Sequence, residues 1–245
     1  MITLIGTGHV FDLTQSLIHI FDEKQPDVLC VELDKQRYQA LMIKKTDPER
    51  YKQASKDQPI IYKLLARFQN SMAEEYGVQA GQEMITTTEY AQSHQIPLAF
   101  IDMNAQRLFT KMLKQMTIRE KIRIMFSGFA GFFVSKKKVE KELDKLEGNF
   151  DTYMANIGEK FPTIKRVLID ERNSYMIQQL KAANEQYERV IAIIGDGHVP
   201  GLSEILKKQN IEFETIRLSE LRKQSTDLKS SDKNDASFSF EYKTP

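Results

Sequence analysis

Five short apolar runs punctuate the chain: Met1–Ile5, Val28–Leu33, Leu98–Ile101, Val190–Ile194 and Ile211–Leu218. The second is apolar at successive positions until Glu32, with no alternation of polar and apolar residues. A strand covered on both faces reads this way, as in a parallel sheet. Helical spacing of apolar residues lies between the runs, over Thr14–Lys24, Gln36–Ile43, Ile60–Tyr76, Gln82–His94 and Gly201–Gln209. Strands alternating with helices predict an α/β fold, with a central, mainly parallel sheet flanked by helices. Between Asp102 and Val190 the strand signal stops, and about Gln106–Asn184 reads as consecutive helices. A helical insertion between the third and fourth strands is therefore expected. The domain is expected to span residues 1–221. Residues 222–245 turn to Lys, Ser, Asp and Asn, which predicts a flexible tail. Its alternating Phe238, Phe240 and Tyr242 suit an edge strand or a partner.

Lys plus Arg number 35 and Asp plus Glu 34, so net charge does not favour nucleic-acid binding. The one cysteine, Cys30, leaves no internal disulfide, which fits a reducing compartment. The N-terminus opens on a strand pattern without a cleavable apolar segment, and a cytoplasmic location is expected. The most membrane-like stretch, Ile122–Val134, carries Phe126, Phe129, Phe132 and Phe133. It is shorter than the ~20 apolar residues of a spanning helix, and Ser127, Gly128 and Gly131 interrupt it, so no transmembrane segment is expected. It suits the core of a helix hairpin, a homo-oligomer contact, a membrane-surface contact or a substrate cover.

One pattern occurs twice. Ile5-Gly6-Thr7-Gly8-His9-Val10 follows the first apolar run, and Ile194-Gly195-Asp196-Gly197-His198-Val199 closes the fourth. Two of the four histidines sit in these motifs. In an open parallel sheet, ligands bind beyond the carboxyl ends of the strands. His9, Glu32, Asp34, Asp102 and His198 would all emerge along that edge. The glycines Gly6, Gly8, Gly195 and Gly197 suit sharp turns or the close approach of a ligand. A helix beginning at Pro162 carries the stripe Ile164, Val167, Leu168, Tyr175 and Leu180. Glu171 falls on this stripe, followed by Arg172 and Asn173. A carboxylate on a buried face needs a charged, hydrogen-bonded or metal partner. Pairing of Glu171 with Arg172, Arg37 or another basic residue would meet that need, and Glu32 could equally cap a loop. A dinucleotide site fits less well. Its third glycine would fall at Phe11, and it gives the second motif no role.

These residues resemble the TraB family, which includes the PrgY pheromone-shutdown proteins and is related to the Tiki metalloproteases. Gly6-Thr7-Gly8-His9 and Gly195-Asp196-Gly197-His198 resemble the family's two Gly-x-x-His motifs. Pro26–Asp34 with Arg37-Tyr38 resembles its second strand and following helix. Gly81-Gln82-Glu83-Met84 is similar to its Gly-x-Glu-Met, and Glu171-Arg172-Asn173 to its Glu-Arg-Asn/Asp motif. The resemblance implies a divalent metal ion (Mn, Co or Zn) held by His9, His198 and Glu32. It further implies a catalytic set drawn from Glu32, Glu83, Glu171, Arg172 and Asn173. Within that set a glutamate is the general base, Arg172 stabilises oxyanion charge and Asn173 orients the substrate. The reaction implied is peptidase-like hydrolysis of a peptide or other small amide or ester. The wider superfamily also resembles erythromycin esterases and ChaN-like haem-binding proteins. Two alternatives follow: a metal-free His/Glu hydrolase, and a non-enzymatic module that sequesters a peptide, metal or haem.

Overall fold

The computed structural model describes residues 1–8, 11–55, 81–123 and 158–225, with side chains described in all but 52–55. The expected helix Ile60–Tyr76, residues 124–134 of the aromatic segment and the tail beyond residue 225 lie outside the described residues.

The elements are β1 (Ile2–Thr7), α1 (Thr14–Lys24), β2 (Val28–Val31), α2 (Lys35–Thr46), α3 (Pro48–Ser55), α4 (Gln82–Ser93), β3 (Leu98–Phe100) and α5 (Ala105–Gln115). They continue with α6 (Pro162–Lys165), a π-helical turn (Arg166–Asp170), α7 (Glu171–Gln186), β4 (Val190–Gly195), a 3₁₀ turn (Asp196–His198), α8 (Val199–Lys208) and β5 (Phe213–Ile216). The five strands form one sheet in the order β3-β2-β4-β1-β5, and every pairing is parallel. This is the α/β sheet the alternation predicts. The described residues between β3 and β4 are mainly helical, at 105–115, 118–123, 158–160 and 162–186.

Both faces of the sheet are covered, which explains the uninterrupted apolar runs. Side chains alternate along each strand. Ile2, Leu4, Val28, Cys30, Val190, Ala192 and Ile194 pack against Met176, Ile177 and Leu180 of α7 and Leu202 and Leu206 of α8. Ile5, Leu29, Val31, Ile191 and Ile193 pack on the other face against Leu17 and Phe21 of α1, Met84 and Tyr90 of α4, and Leu221. Cys30 is fully buried in the first layer. Burial pushes its thiol up to about 12, so it is no nucleophile near neutral pH.

The expected strands Val28–Leu33 and Ile211–Leu218 are shorter than their apolar runs. The strand β2 ends at Val31, and Glu32 adds one more backbone hydrogen bond to β4 before the chain leaves the sheet. The register aligns Thr7 with Gly195 on the neighbouring strands β1 and β4. The two glycine-rich motifs therefore leave the sheet side by side.

Candidate functional site

Glu32, the first residue after β2, is 7% exposed and lies beside the end of β4. Its backbone N–H donates to Ile193 O at 3.0 Å, continuing the strand pairing by one residue. Its carboxylate is held from two sides. Oε2 accepts from the Gly195 backbone N–H at 2.5 Å, and Oε1 accepts from Nη2 of Arg172. Arg172 in turn grips Asp102, the second residue past β3, through two parallel hydrogen bonds of 2.9 Å from Nε and Nη2. Its Nη1 donates to Leu168 O at 3.3 Å, within the π-helical turn. Arg37 of α2 adds a contact to Asp102 at 3.2 Å. Burial works against the Arg172 charge, but Glu32 and Asp102 outweigh it and hold its pKa above the ordinary value. A side-on Arg–carboxylate pair is the arrangement best suited to charges removed from water.

His198 ends the 3₁₀ turn after β4 and is 5% exposed. Its Nδ1 lies 2.6 Å from Oδ1 of Asn173, which is also 5% exposed, on α7. Because Oδ1 only accepts, Nδ1 carries the proton and Nε2 keeps its lone pair. That nitrogen faces Glu32 Oε1 at 3.5 Å. Burial pushes the His198 pKa below the ordinary value; Glu32 raises it, Arg172 lowers it and Asp102 raises it, and burial prevails. The imidazole is therefore neutral at neutral pH, and its contact with Glu32 is not an ion pair.

The sign of the resulting pH dependence follows by linkage. The unfolded chain takes up this proton near pH 6.5, the folded protein only at lower pH. The His198 contribution to stability is thus complete above about 6.5 and is lost as pH falls from there to the folded-state value. In chelator, denaturant midpoints measured between about pH 7.5 and 5.5 should fall more in the wild type than in His198→Gln. Equal slopes would mean that His198 titrates as it does unfolded.

α8 starts directly after His198 and approaches α7 closely. A Cβ built on Gly201 would run into Nδ2 of Asn173. Gly201→Ala should therefore displace Asn173 from His198 and cost about 1–3 kcal/mol by overpacking, read as a lower denaturation midpoint. An unchanged midpoint would show that Asn173 can move aside freely. Gly6 is similarly constrained, because its Cβ would meet Oδ1 of Asp196. Asp196 accepts from Arg217 at 2.8 and 2.6 Å and from the Leu218 N–H at 3.0 Å. Asp196, the residue after the first glycine of the second motif, thus ties down the chain after β5.

Glu32, Arg172, Asn173 and His198 are brought together. Asp34 instead caps α2, accepting from the N–H groups of Gln36 at 2.8 Å and Arg37 at 3.1 Å. Glu83, 2% exposed, lies in the first turn of α4, on the face of the sheet opposite α7. Glu171 pairs with a basic residue, one of the alternatives its position left open, but it lies off the sheet-facing side, with its side chain 25% exposed. Val167 packs against Leu108, Met112 and Met116, and Glu171 meets Lys111 of α5 at 2.8 Å. The sheet-facing stripe of α7 is Asn173, Met176, Ile177, Leu180 and Ala183. The π-helical turn joins these two differently facing halves, so the predicted stripe mixed them. Asn173 and Arg172 serve His198 and Glu32 in this geometry. Asp102 and Arg37 were missing from the expected catalytic set. The only signal for Asp102 was an acid closing an apolar run.

Among the described residues, no group of three or more His, Cys, Asp or Glu converges on one metal position. Two donors do face one another, His198 Nε2 and Glu32 Oε1. The expected third ligand, His9, lies outside the described residues. The donor types suit a borderline divalent ion. The imidazole fixed by Asn173 and the carboxylate fixed by Arg172 and Gly195 have the outer support usual for metal ligands.

A family model described as TraB/PrgY/gumN family matches residues 1–215. An uncharacterized protein of Methanocaldococcus jannaschii is 28% identical over 240 residues, covering 93% of this chain and 59% of the relative. TraB domain-containing proteins of Bos taurus and Homo sapiens are 24% and 23% identical, each over 81% of this chain, covering 60% and 61% of their own lengths. The chain thus spans about three fifths of the length of these relatives.

Proposed function

Because the chain belongs to the TraB/PrgY/gumN family, we propose that it is a metal-dependent hydrolase acting on a peptide or related small amide at the carboxyl edge of β1, β2 and β4. The observation that carries this reading is the pairing of a neutral, tautomer-fixed His198 with the buried Glu32, beside the second glycine-histidine motif. His198 and His9 would hold a divalent ion, with Glu32, whose Oε1 faces His198 Nε2, as a further ligand. A divalent ion there would lower the pKa of bound water toward ~7.

The chain's own residues do the rest. Asn173 keeps the proton on Nδ1 of His198 and so leaves Nε2 to ligate. Arg172 and the Gly195 N–H fix Glu32, which either ligates or accepts the proton of the attacking water. Arg172 is engaged by Glu32, Asp102 and Leu168 O, so its role is to hold Glu32 rather than to meet the oxyanion. Burial of these groups strengthens their electrostatics. The test is peptide hydrolysis by protein stripped with chelator and then reloaded with Mn, Co or Zn. Activity lost on stripping and restored by one of these ions is expected. Equal activity in stripped and loaded protein would remove the metal from the reaction.

One observation favours a second reading. The described residues already bring a histidine base and a carboxylate into register, and the Arg172 charge beside Glu32 opposes a cation. In a metal-free hydrolase, His198 Nε2 would take the proton directly. Activity that survives chelation and requires His198 would favour it.

A further inference from the structure

The charge balance is uneven along the chain. Over residues 105–123 the basic side chains are Arg107, Lys111, Lys114, Arg119, Lys121 and Arg123, against Glu120 as the one acid. Among the described residues, only Lys111 of these basic side chains is seen paired with a carboxylate, that of Glu171. Glu120 is turned inward and 4% exposed. It accepts from the Thr117 N–H at 2.9 Å and the Thr163 N–H at 2.8 Å, while Thr117 Oγ1 accepts from the Glu120 N–H at 3.2 Å. This capping box starts a helix at residue 118 and fastens it to the start of α6.

Anchoring through Glu120 leaves the opposite face of residues 118–123 outward. Ile118 and Ile122 are four residues apart and share that face, and they are 75% and 48% exposed. Arg119 and Lys121 flank them, and Leu113 at the end of α5 is a further 41% exposed. Paired isoleucines at such exposure, ringed by cations, are not an ordinary solvated face. The sequence that follows, 124–134, carries four phenylalanines and no charge, and Lys136, Lys137 and Lys138 come after it.

We propose that this face docks on an anionic lipid bilayer, with Ile118 and Ile122 entering the headgroup region and Arg119 and Lys121 meeting lipid phosphates. Among the described residues, no helix is long and apolar enough to cross a membrane, so the contact is interfacial. A contact with nucleic-acid phosphates would use the cations but leave Ile118 and Ile122 in water, whereas a bilayer interface takes up both. The proposal does not rest on the hydrolytic reading.

The test is co-sedimentation of the full chain with phosphatidylglycerol/phosphatidylcholine vesicles and with phosphatidylcholine alone, at low and high salt. Wild type is expected to bind the anionic vesicles and to lose affinity with salt. Arg119→Glu/Lys121→Glu should weaken binding about tenfold or more, and Ile118→Glu/Ile122→Glu should abolish it. Both variants should keep the wild-type melting temperature. No binding to anionic vesicles, or equal binding by wild type and either variant, would overturn the proposal. So would a dimer that Ile118→Glu/Ile122→Glu dissociates while vesicle binding is absent, or salt-sensitive binding to an oligonucleotide with none to vesicles.

Discussion

Replacing Arg172 with methionine is expected to destabilise the protein by about 3–5 kcal/mol, the usual cost of removing one partner from a buried ion pair. The side chains of Glu32 and Asp102 are 8% and 2% exposed, and Arg172 bridges them. Without it, Asp102 retains Arg37 at 3.2 Å and the Met103 N–H at 2.7 Å, while Glu32 retains Gly195. Those contacts leave two buried carboxylates with one partly exposed cation. The loss should appear as a large fall in the denaturant midpoint with an unchanged slope. Arg172→Lys should recover only part of it, because an ammonium cannot reproduce the side-on grip on Asp102. Combining Arg172→Met with Glu32→Gln and Asp102→Asn should recover more, since the stranded charge is then gone. If the triple variant is no more stable than Arg172→Met, lost packing rather than stranded charge explains the effect.

Glu32→Gln should separate chemistry from folding. The amide oxygen can still accept from Gly195, and Arg172 keeps Asp102. Stability should change far less than in Arg172→Met. Hydrolysis, however, should fall by about 10²–10⁴-fold, the usual range for removal of a positioned proton acceptor. The comparison is made on kcat at saturating peptide, with folding checked by melting. Activity near wild type would transfer the proton-accepting role away from Glu32, with Glu83 as the next candidate at the start of α4.

The centre of the sheet was legible because Val28–Val31 and Val190–Ile194 are continuous apolar runs buried on both faces, whereas β5 carries Glu214 and Thr215 at the edge. The helices α1 and α4 began where predicted, at Thr14 and Gln82. Which strands adjoin was not legible. Register between β1 and β4 joins residues 188 positions apart, and no local pattern specifies it. Glu171 was misplaced because helical periodicity assumes one face, whereas residues 162–186 bury one face on α5 and another on the sheet. Once that change of face is seen, Asn173 takes the inward position. Asp102 was placed on the carboxyl edge by its position at the end of an apolar run, but nothing in that run identified the arginine it holds. Its partner Arg172 is 70 residues away.

The metal content of the purified full chain decides the proposed chemistry most directly. Elemental analysis is made of wild type and of His9→Ala/His198→Ala, each after incubation with Mn, Co and Zn and removal of free ion. About one equivalent of a transition metal in wild type, absent from the double variant, is the expected result. No bound metal in wild type, or the same content in both proteins, would contradict a two-histidine metal centre.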